Sequence, residues 1–313
     1  MAAEPGALQG AGASSVGRSA ADVRVAAGRS DRGRWWREVG WRHVVGVAAV
    51  VFALFPVVWV FSASINSTGT LAGQRLFPAN PTLDNYRSVL GQTSFLRWFG
   101  NSMIVAGVTS VAAVFLCALA AYAFSRMRFR GRRAGLLALL LVQMFPQLLA
   151  VVAIFLLMVR IAGITPAIGL GTKEGLILVY LGGALGVTTW LMKGFFDTIP
   201  SELDESARVD GATHAQIYFR IILPLVAPIL AVIGLLAFIA AINEFIIAQA
   251  VVGGSEENWT MAIGLFRFIN ERYGSRWGPF SAGALIGSIP TVLLFLFLQR
   301  FIVSGLTQGS VKG

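Results

Sequence analysis

Six long apolar stretches constrain this chain more than any other feature of its sequence. They cover about residues 43–62, 100–123, 134–159, 175–196, 225–250 and 282–303. An α-helix rises about 1.5 Å per residue, so about 20 apolar residues cross a bilayer core of about 30 Å. The composition agrees, since 56% of the residues are hydrophobic and only 13% are charged. The sequence therefore predicts an all-α membrane protein with six transmembrane helices.

The lysine and arginine residues predict how these spans are oriented. Seventeen of the 25 fall in the N-terminal tail, the connection after span two, the segment before span five and the C-terminus. Cytoplasmic loops are enriched in these residues. Both termini are therefore predicted to be cytoplasmic. The chain divides into a basic tail at 1–42, a six-span domain at 43–303 and a short cytoplasmic tail at 304–313.

The net charge of +10 does not indicate a nucleic-acid partner. The arginines flank apolar spans and do not alternate with aromatic residues, so membrane topology accounts for them. Residues 1–34 hold few large apolar side chains, which predicts disorder. Cys117 is the only cysteine, so no intrachain disulfide is possible. The lipid bilayer is the predicted environment of the chain.

The segment at 197–224 is polar although it lies between predicted spans four and five. It carries Glu205-Ser206-Ala207, then Gly211 after three further residues, and Ile221-Ile222-Leu223-Pro224 after nine more. Glycine suits the left-handed position that follows a helix end. Proline has no amide hydrogen and is expected to break the helix before span five. The topology places this segment in the cytoplasm.

Capping residues predict two short helices within this segment. Ser201 is expected to cap the first, with Asp204 three residues later approximating a capping box. Thr213 and Gln216 form the same pair at the start of the second. The segment is therefore predicted to form a helix, a glycine turn and a second helix that protrude from the membrane. The alternative is an amphipathic hairpin lying on the lipid headgroups.

The motif in this segment resembles that of the inner-membrane permease subunits of binding-protein-dependent ATP-binding-cassette (ABC) importers. The family pattern is Glu-Ala-Ala, three residues, Gly, nine residues, Ile, one residue and Leu-Pro. Ser206 stands where alanine is usual, and segments 76–86, 143–146, 210–213 and 305–313 are similar to carbohydrate permeases, the last three to the smaller permease subunit of maltose and maltodextrin importers. The motif matches at Glu205, Ala207, Gly211, Ile221, Leu223 and Pro224.

The resemblance implies a type I ABC importer permease in a bacterial inner membrane. Its expected partners are a homologous second permease subunit, a homodimeric cytoplasmic ATPase, an extracytoplasmic solute-binding protein and a sugar. The implied cargo is maltose or maltodextrin, with another oligosaccharide such as trehalose as the alternative. The sequence holds no Gly-x-x-x-x-Gly-Lys-Ser/Thr loop. This agrees with the resemblance, which implies that the chain has no catalytic residue, metal or directly bound cofactor and that the partner ATPase would use ATP and Mg.

The resemblance also implies which residues contact the ATPase. Glu205 is expected to pair with a basic residue of that partner, and Gly211 to fix the turn. The C-terminal residues Gln308, Gly309, Ser310, Val311 and Lys312 are expected to reach between the ATPase domains, with a frayed terminus as the alternative. The whole ATPase-coupling set is Leu203, Glu205, Ala207, Gly211, Ala212, Ile217, Ile221, Leu223 and Pro224.

Three polar residues within the spans are candidates for the translocation pathway or the interface between permeases. They are Gln143 in span three, beside Pro146, and Asn243 and Glu244 in span five. Polar groups at membrane depth are costly and usually face a bundle interior or a wet cavity. A local structural hydrogen bond is the alternative for the pair in span five. Pro146 is predicted to kink span three.

Two other functions compete with the importer hypothesis. A secondary transporter is expected to show internal repeats and several embedded acids for ion coupling, whereas Glu244 is the one acid deep in a predicted span. A membrane enzyme requires a cluster such as histidine with acids, and the only histidines are His43 and His214. Both alternatives are weaker than the importer hypothesis.

Overall fold

The computed structural model describes residues 36–67, 74–270 and 276–308, without the side chains of Arg37, Gln147 and 302–308. The chain divides into two compact units, residues 1–58 and 59–313. Every regular element within the described ranges is helical, and one isolated β-bridge joins Asn66 to Pro81. The prediction of an all-α protein is confirmed.

Helix α1 (Trp41–Ser64) begins in the first unit, follows a π-helical turn at Trp36–Gly40 and contains Pro56. It matches the first predicted span. Residues 36–42, assigned by sequence to the tail, are helical. Residues 1–35 lie outside the described ranges, so the predicted disorder of the tail is not tested.

The second unit holds the other α-helices of the described chain. In chain order they are α2 (Asp84–Gln92), α3 (Phe95–Arg126), α4 (Arg132–Gln143), α5 (Gln147–Ile164), α6 (Lys173–Asp197), α7 (Glu202–Val209), α8 (His214–Ile217), α9 (Leu223–Asn243), α10 (Ile246–Val252), α11 (Met261–Ile269) and α12 (Trp277–Gln308).

Five helical segments in the described ranges are long and apolar enough to cross a membrane: Glu38–Ser64, Phe95–Arg126, Lys173–Asp197, His214–Asn243 and Trp277–Phe301. A sixth candidate is the pair α4 and α5, which is bent by 102°. Length and composition therefore support five spans, or six if the bent pair is one span, and the prediction of six stays a prediction.

The bend between α4 and α5 lies at Met144–Pro146. Span three was predicted as one helix with a kink, but α4 ends at Gln143 and α5 begins at Gln147. Proline cannot donate a backbone hydrogen bond and disfavours helical geometry in the residue before it. Pro146 has ψ 117° and so starts a new helix direction.

Helix α3 is the most enclosed of the candidate spans, with 39% of its most apolar stretch buried. It packs along α6 and α9. Its buried face is rich in small residues, including Ala106, Ala113, Cys117, Ala118 and Ala121. Small side chains let membrane helices approach closely. This helix is therefore the central element of the second unit.

Two buried clusters lie at the two ends of α3. The Tyr122 cluster joins the C-terminal half of α3 to α6 and to the polar segment before α9. The Trp98 cluster joins the N-terminal half of α3 to α11 and α12. In the Trp98 cluster, the indole of Trp98 contacts the rings of Trp259 and Phe268, with centroids 5.9 and 6.5 Å away.

Candidate functional site

The polar segment at 198–222, here the α7–α8 loop, forms two short helices joined by a tight turn. Gly211 has φ +83°, and its N–H donates to the carbonyl of Arg208 at 3.0 Å. The N–H of Ala212 donates to the carbonyl of Ala207 at 2.9 Å. This pair of bonds is the Schellman motif, which requires a left-handed residue after the helix. The predicted role of Gly211 in the turn is confirmed.

The second helix of the loop begins with the predicted capping box. The Thr213 hydroxyl accepts a bond from the backbone N–H of Gln216 at 3.3 Å, and the Gln216 side chain accepts from the N–H of Thr213 at 2.8 Å. These bonds satisfy two helix-start donors that otherwise lack partners. They fix the direction in which α8 leaves the glycine turn.

The predicted cap at Ser201 is wrong. Ser201 has helical angles, φ −68° and ψ −21°, and its side chain makes no capping bond. Its carbonyl instead accepts from the N–H groups of Asp204 and Glu205 at 3.0 and 3.1 Å. A capping side chain needs an extended backbone to reach the first turn, and the turn at Thr198–Pro200 already leads into the helix.

The predicted break before Pro224 is also wrong. A π-helical turn at Tyr218–Ile222 connects α8 to α9, and Pro224 lies in the first turn of α9. The N–H of Leu223 bonds to the carbonyl of Tyr218, five residues back. A wide turn of this kind changes the register of carbonyls ahead of the proline, and proline is tolerated in a first helical turn. Span five is therefore continuous with α8.

One side of the α7–α8 loop packs against this chain itself. Ala207 and Ile217 are 8% and 0% exposed and belong to the Tyr122 cluster. Three further residues of the predicted ATPase-coupling set are partly buried against the same cluster: Ala212, Ile221 and Leu223. Their side chains position the loop on α3 and α6, and they leave little surface for a partner.

The other side of α7, here its outer face, consists of Glu202, Glu205 and Val209. These residues are spaced i, i+3 and i+7, so they share one side of the helix. All three are exposed, Val209 at 89%. Leu203, at the edge of this face, is 42% exposed. Sequence reasoning selected Glu205 and Leu203 but missed Val209, although an apolar residue on a polar helix face is the signal that identifies it.

A buried ion pair attaches α7 to the end of α3. Nε of Arg126 lies 3.0 Å from Oδ2 of Asp204, and their side chains are only 10% and 3% exposed. Arg126 also donates from Nη2 to the carbonyl of Ile199 at 2.7 Å. Sequence reasoning missed this pair. The available signal was the position of Asp204 three residues before Ala207, which places both on the buried side of α7.

A second set of polar contacts surrounds this pair. The Ser125 hydroxyl donates to Oδ1 of Asp197 at 2.6 Å, and Lys193 forms an ion pair with the same carboxylate. Nη2 of Arg132 donates to the carbonyl of Ser125 at 3.3 Å. These contacts join the end of α3 and the turn after it to the end of α6. They therefore hold in place the segment that leads into α7.

The three polar candidates within the spans bond to different partners, although Asn243 and Glu244 are adjacent in the chain. Nε2 of Gln143 donates to the carbonyl of Gly183 at 2.7 Å, between α4 and α6. Asn243 is exposed and donates to the carbonyl of Ile239 at 2.8 Å. A role for these residues and for Glu244 in a pathway or interface stays a prediction.

Glu244 makes the local structural bonds that sequence reasoning gave as the alternative. Its carboxylate accepts from the Tyr180 hydroxyl at 2.7 Å and from the N–H groups of Ile247 and Ala248 at 2.8 and 2.9 Å. It therefore caps the start of α10. Its bond to Tyr180 also connects the junction between α9 and α10 to α6.

The C-terminal candidates are only partly described. Gln308 is the last described residue, without its side chain, and Gly309, Ser310, Val311 and Lys312 lie outside the described ranges. Within the described ranges, no group of three or more His, Cys, Asp or Glu residues could hold a metal ion.

The fold and motif geometry agree with the comparison to protein families. The family model described as the binding-protein-dependent transport system inner membrane component matches residues 113–308. The chain belongs to this family. Its members are the permease subunits of ABC importers and are not catalytic, so the prediction that the chain is not an enzyme is confirmed.

Curated relatives cover most of the chain. It is 39% identical over 266 residues to the galactooligosaccharides transport system permease protein GanQ of Bacillus subtilis, covering 84% of this chain and 92% of that protein. It is 37% identical over 284 residues to the maltose/maltodextrin transport system permease protein MalG of Escherichia coli, covering 87% of this chain and 95% of that protein. These relatives are permeases of sugar ABC importers.

Solved structures show the same fold. A chain from a bacterial ABC transporter involved in the import of the acidic polysaccharide alginate superposes with a TM-score of 0.71 and 26% identity, covering 85% of this chain and 97% of that one. A chain from a bacterial alginate ABC transporter in complex with a pentasaccharide-bound periplasmic protein has a TM-score of 0.62 at 16% identity. The predicted type I importer fold is supported by both.

Proposed function

We propose that this chain is one of two permease subunits of an ATP-driven oligosaccharide importer in a bacterial inner membrane. The exposed outer face of α7, held on a loop whose other side is buried in the chain, carries this proposal. This short helix exposes acidic and apolar side chains, while its opposite side is fixed to the rest of the chain. Such an arrangement suits docking into a cleft of another protein. The family supplies the class of that protein, an ATPase.

The coupling contact is assigned to the exposed residues of the α7–α8 loop. The Glu205 carboxylate makes no ion pair or hydrogen bond within the described part of the chain, so it is available to pair with a basic residue of the ATPase. Val209 and Leu203 supply apolar contact area beside it. Five other members of the coupling set support the loop from inside and act through its shape: Ala207, Ala212, Ile217, Ile221 and Leu223.

The family and its relatives support the proposal of the remaining partners. A solute-binding protein delivers the sugar, a second permease completes the pathway, and both termini lie in the cytoplasm with the α7–α8 loop. ATP and Mg are bound by the ATPase. The tail from Gln308 to Lys312 is proposed to reach the ATPase domains.

The proposed cargo is a neutral oligosaccharide, with maltodextrin first. Relatives named for maltodextrin and maltose support this choice. The relative named for galactooligosaccharides, at 39% identity, favours a galactooligosaccharide as the second candidate. Trehalose remains a further alternative from sequence. The cargo that stimulates ATP hydrolysis through the solute-binding protein identifies the substrate.

The docking proposal is tested by Val209→Asp in the complex purified with its ATPase. A charge placed at the centre of a docked apolar contact typically costs about 2 kcal/mol or more, so the amount of ATPase that co-purifies is expected to fall by about tenfold or more. Leu83→Asp is the matched control, since Leu83 is also exposed, at 61%, but lies outside the loop. Normal ATPase retention by Val209→Asp would contradict the docking assignment.

A further inference from the structure

The C-terminal end of α3 is attached to the α7–α8 loop by charge. Arg126 is the last residue of α3, and its guanidinium meets the carboxylate of Asp204 in a nearly dry environment. Its bond to the carbonyl of Ile199 holds the chain just before α7 as well. A displacement of α7 therefore either moves Arg126 or separates two buried charges, which is strongly unfavourable.

The N-terminal half of α3 is attached in a similar way to the segment before α11. Nδ2 of Asn101 donates to the carbonyls of Glu257 and Trp259 at 2.8 and 2.9 Å, and its Oδ1 accepts from Lys173 at 3.3 Å. The backbone N–H of Met261 donates to the Ser102 hydroxyl at 2.7 Å. Asn101 is only 4% exposed. Each of these backbone groups therefore depends on α3 for a partner.

Between these two attachments α3 is an uninterrupted helix. It runs for 32 residues without a proline, and Asn101 and Arg126 are about 38 Å apart at the rise of a regular helix. Its small-residue face packs along α6 and α9. A helix of this kind has no hinge in which an axial or rocking displacement would be absorbed.

We propose that α3 is a rigid link that carries the movement of the α7–α8 loop to residues 257–261 at the opposite end. Asp204 and Asn101 are its positioning residues, because each fixes one end of α3 to the segment that moves with it. The inference rests on the proposed docking of the outer face of α7 and deepens it. The outer face receives the movement of the ATPase, and Asp204 passes it to α3.

The test uses the full transporter complex in proteoliposomes and compares Asp204→Asn and Asn101→Ala with the parent chain. Three quantities are measured: the ATPase bound per permease, the stimulation of ATP hydrolysis by the sugar-loaded binding protein, and the sugar transported per ATP hydrolysed. A purely structural role lowers the yield of complex but leaves the last two quantities unchanged in the complexes that assemble. Coupling between distant sites typically corresponds to a factor of about 5 or more.

We expect both variants to keep the ATPase bound and to lose about fivefold or more of the stimulation and of the sugar transported per ATP. Asp204→Glu, which retains the carboxylate, is expected to restore both quantities largely. Arg87→Gln is the matched control, because it removes the Asp84–Arg87 ion pair, whose arginine and aspartate side chains are 80% and 73% exposed. It should leave all three quantities unchanged.

Normal transport per ATP in assembled Asp204→Asn complexes would overturn the inference. If that variant yields no complex, Arg126→Gln, which removes the positive charge, and Asn101→Ala decide the matter, and normal coupling in both overturns it equally. Failure of the proposed function has a different signature, since Val209→Asp would then keep its ATPase. Loss of the ATPase with Val209→Asp together with normal coupling in Asp204→Asn contradicts only the rigid link.

Discussion

At the scale of single residues, Gly211 sets the shape of the α7–α8 loop. Its φ of +83° lies in the left-handed region, and a Cβ added there would meet no atom within 4 Å, so the backbone angle alone selects glycine. A residue with a Cβ costs about 1–2 kcal/mol in this region, and asparagine is tolerated better than most. The substitution therefore tests conformation without adding a steric clash.

Gly211→Ala is expected to weaken ATPase binding by about 5- to 30-fold, which corresponds to the cost of the left-handed angle if the bound loop requires it. Gly211→Asn is the control and should bind within a fewfold of the parent. The measurement is the affinity of the purified ATPase for the permease pair in nanodiscs. Equal binding by the alanine and glycine proteins would show that the turn is not required for docking.

The same scale shows what the sequence could and could not predict in the loop. Gly211 and the Thr213–Gln216 box were predictable because each is satisfied by atoms within a few residues. Ser201 was not, because the backbone angles at that position are set by the chain leaving α6. The Arg126–Asp204 pair joins residues far apart in sequence, and although helix spacing marks Asp204 as buried, a single sequence does not identify its partner.

At the scale of elements, the packing of α11 on α3 leaves no space at Gly264. A Cβ at this position would overlap the indole of Trp98, which is 2% exposed and cannot move aside. At Gly254, in contrast, a Cβ would have no other atom within 4 Å. The two glycines together distinguish close helix packing from a general effect of replacing glycine.

Gly264→Ala is expected to destabilise the chain by about 1–3 kcal/mol, the usual cost of overpacking a buried contact. Gly254→Ala should change stability by less than about 0.5 kcal/mol, as is typical of surface substitutions. Both are measured as shifts in the thermal unfolding midpoint of the purified complex. A Gly264→Ala protein as stable as the parent would contradict the described contact between α11 and Trp98.

The elements also show why sequence reasoning misplaced two helix boundaries. The length of the apolar stretches found every candidate span of the described chain, because a helix that crosses the bilayer core needs about 20 mainly apolar residues. Proline alone did not indicate its effect: Pro146 separates α4 from α5, whereas Pro224 lies inside a continuous helix. The difference is the π turn before Pro224, which depends on how Tyr218 and Ile222 pack in the Tyr122 cluster.

At the scale of the whole molecule, ATP hydrolysis and sugar translocation take place in different proteins of the proposed complex. Under this proposal, the ATPase supplies the energy, the outer face of α7 receives the movement, and the spans convert it into alternating access. A secondary transporter would instead draw on an ion gradient through embedded acids. In the structure, Glu244 accepts three hydrogen bonds and caps α10, which accounts for this acid without ion coupling.

The most direct test is the energy source of uptake in proteoliposomes that contain the complete complex and its solute-binding protein. Maltodextrin uptake is expected to require ATP, to be abolished by a hydrolysis-deficient partner ATPase and to be unaffected by a protonophore. Uptake of a galactooligosaccharide is measured in parallel to identify the cargo. Uptake that continues with the inactive ATPase and collapses with the protonophore would contradict the importer assignment.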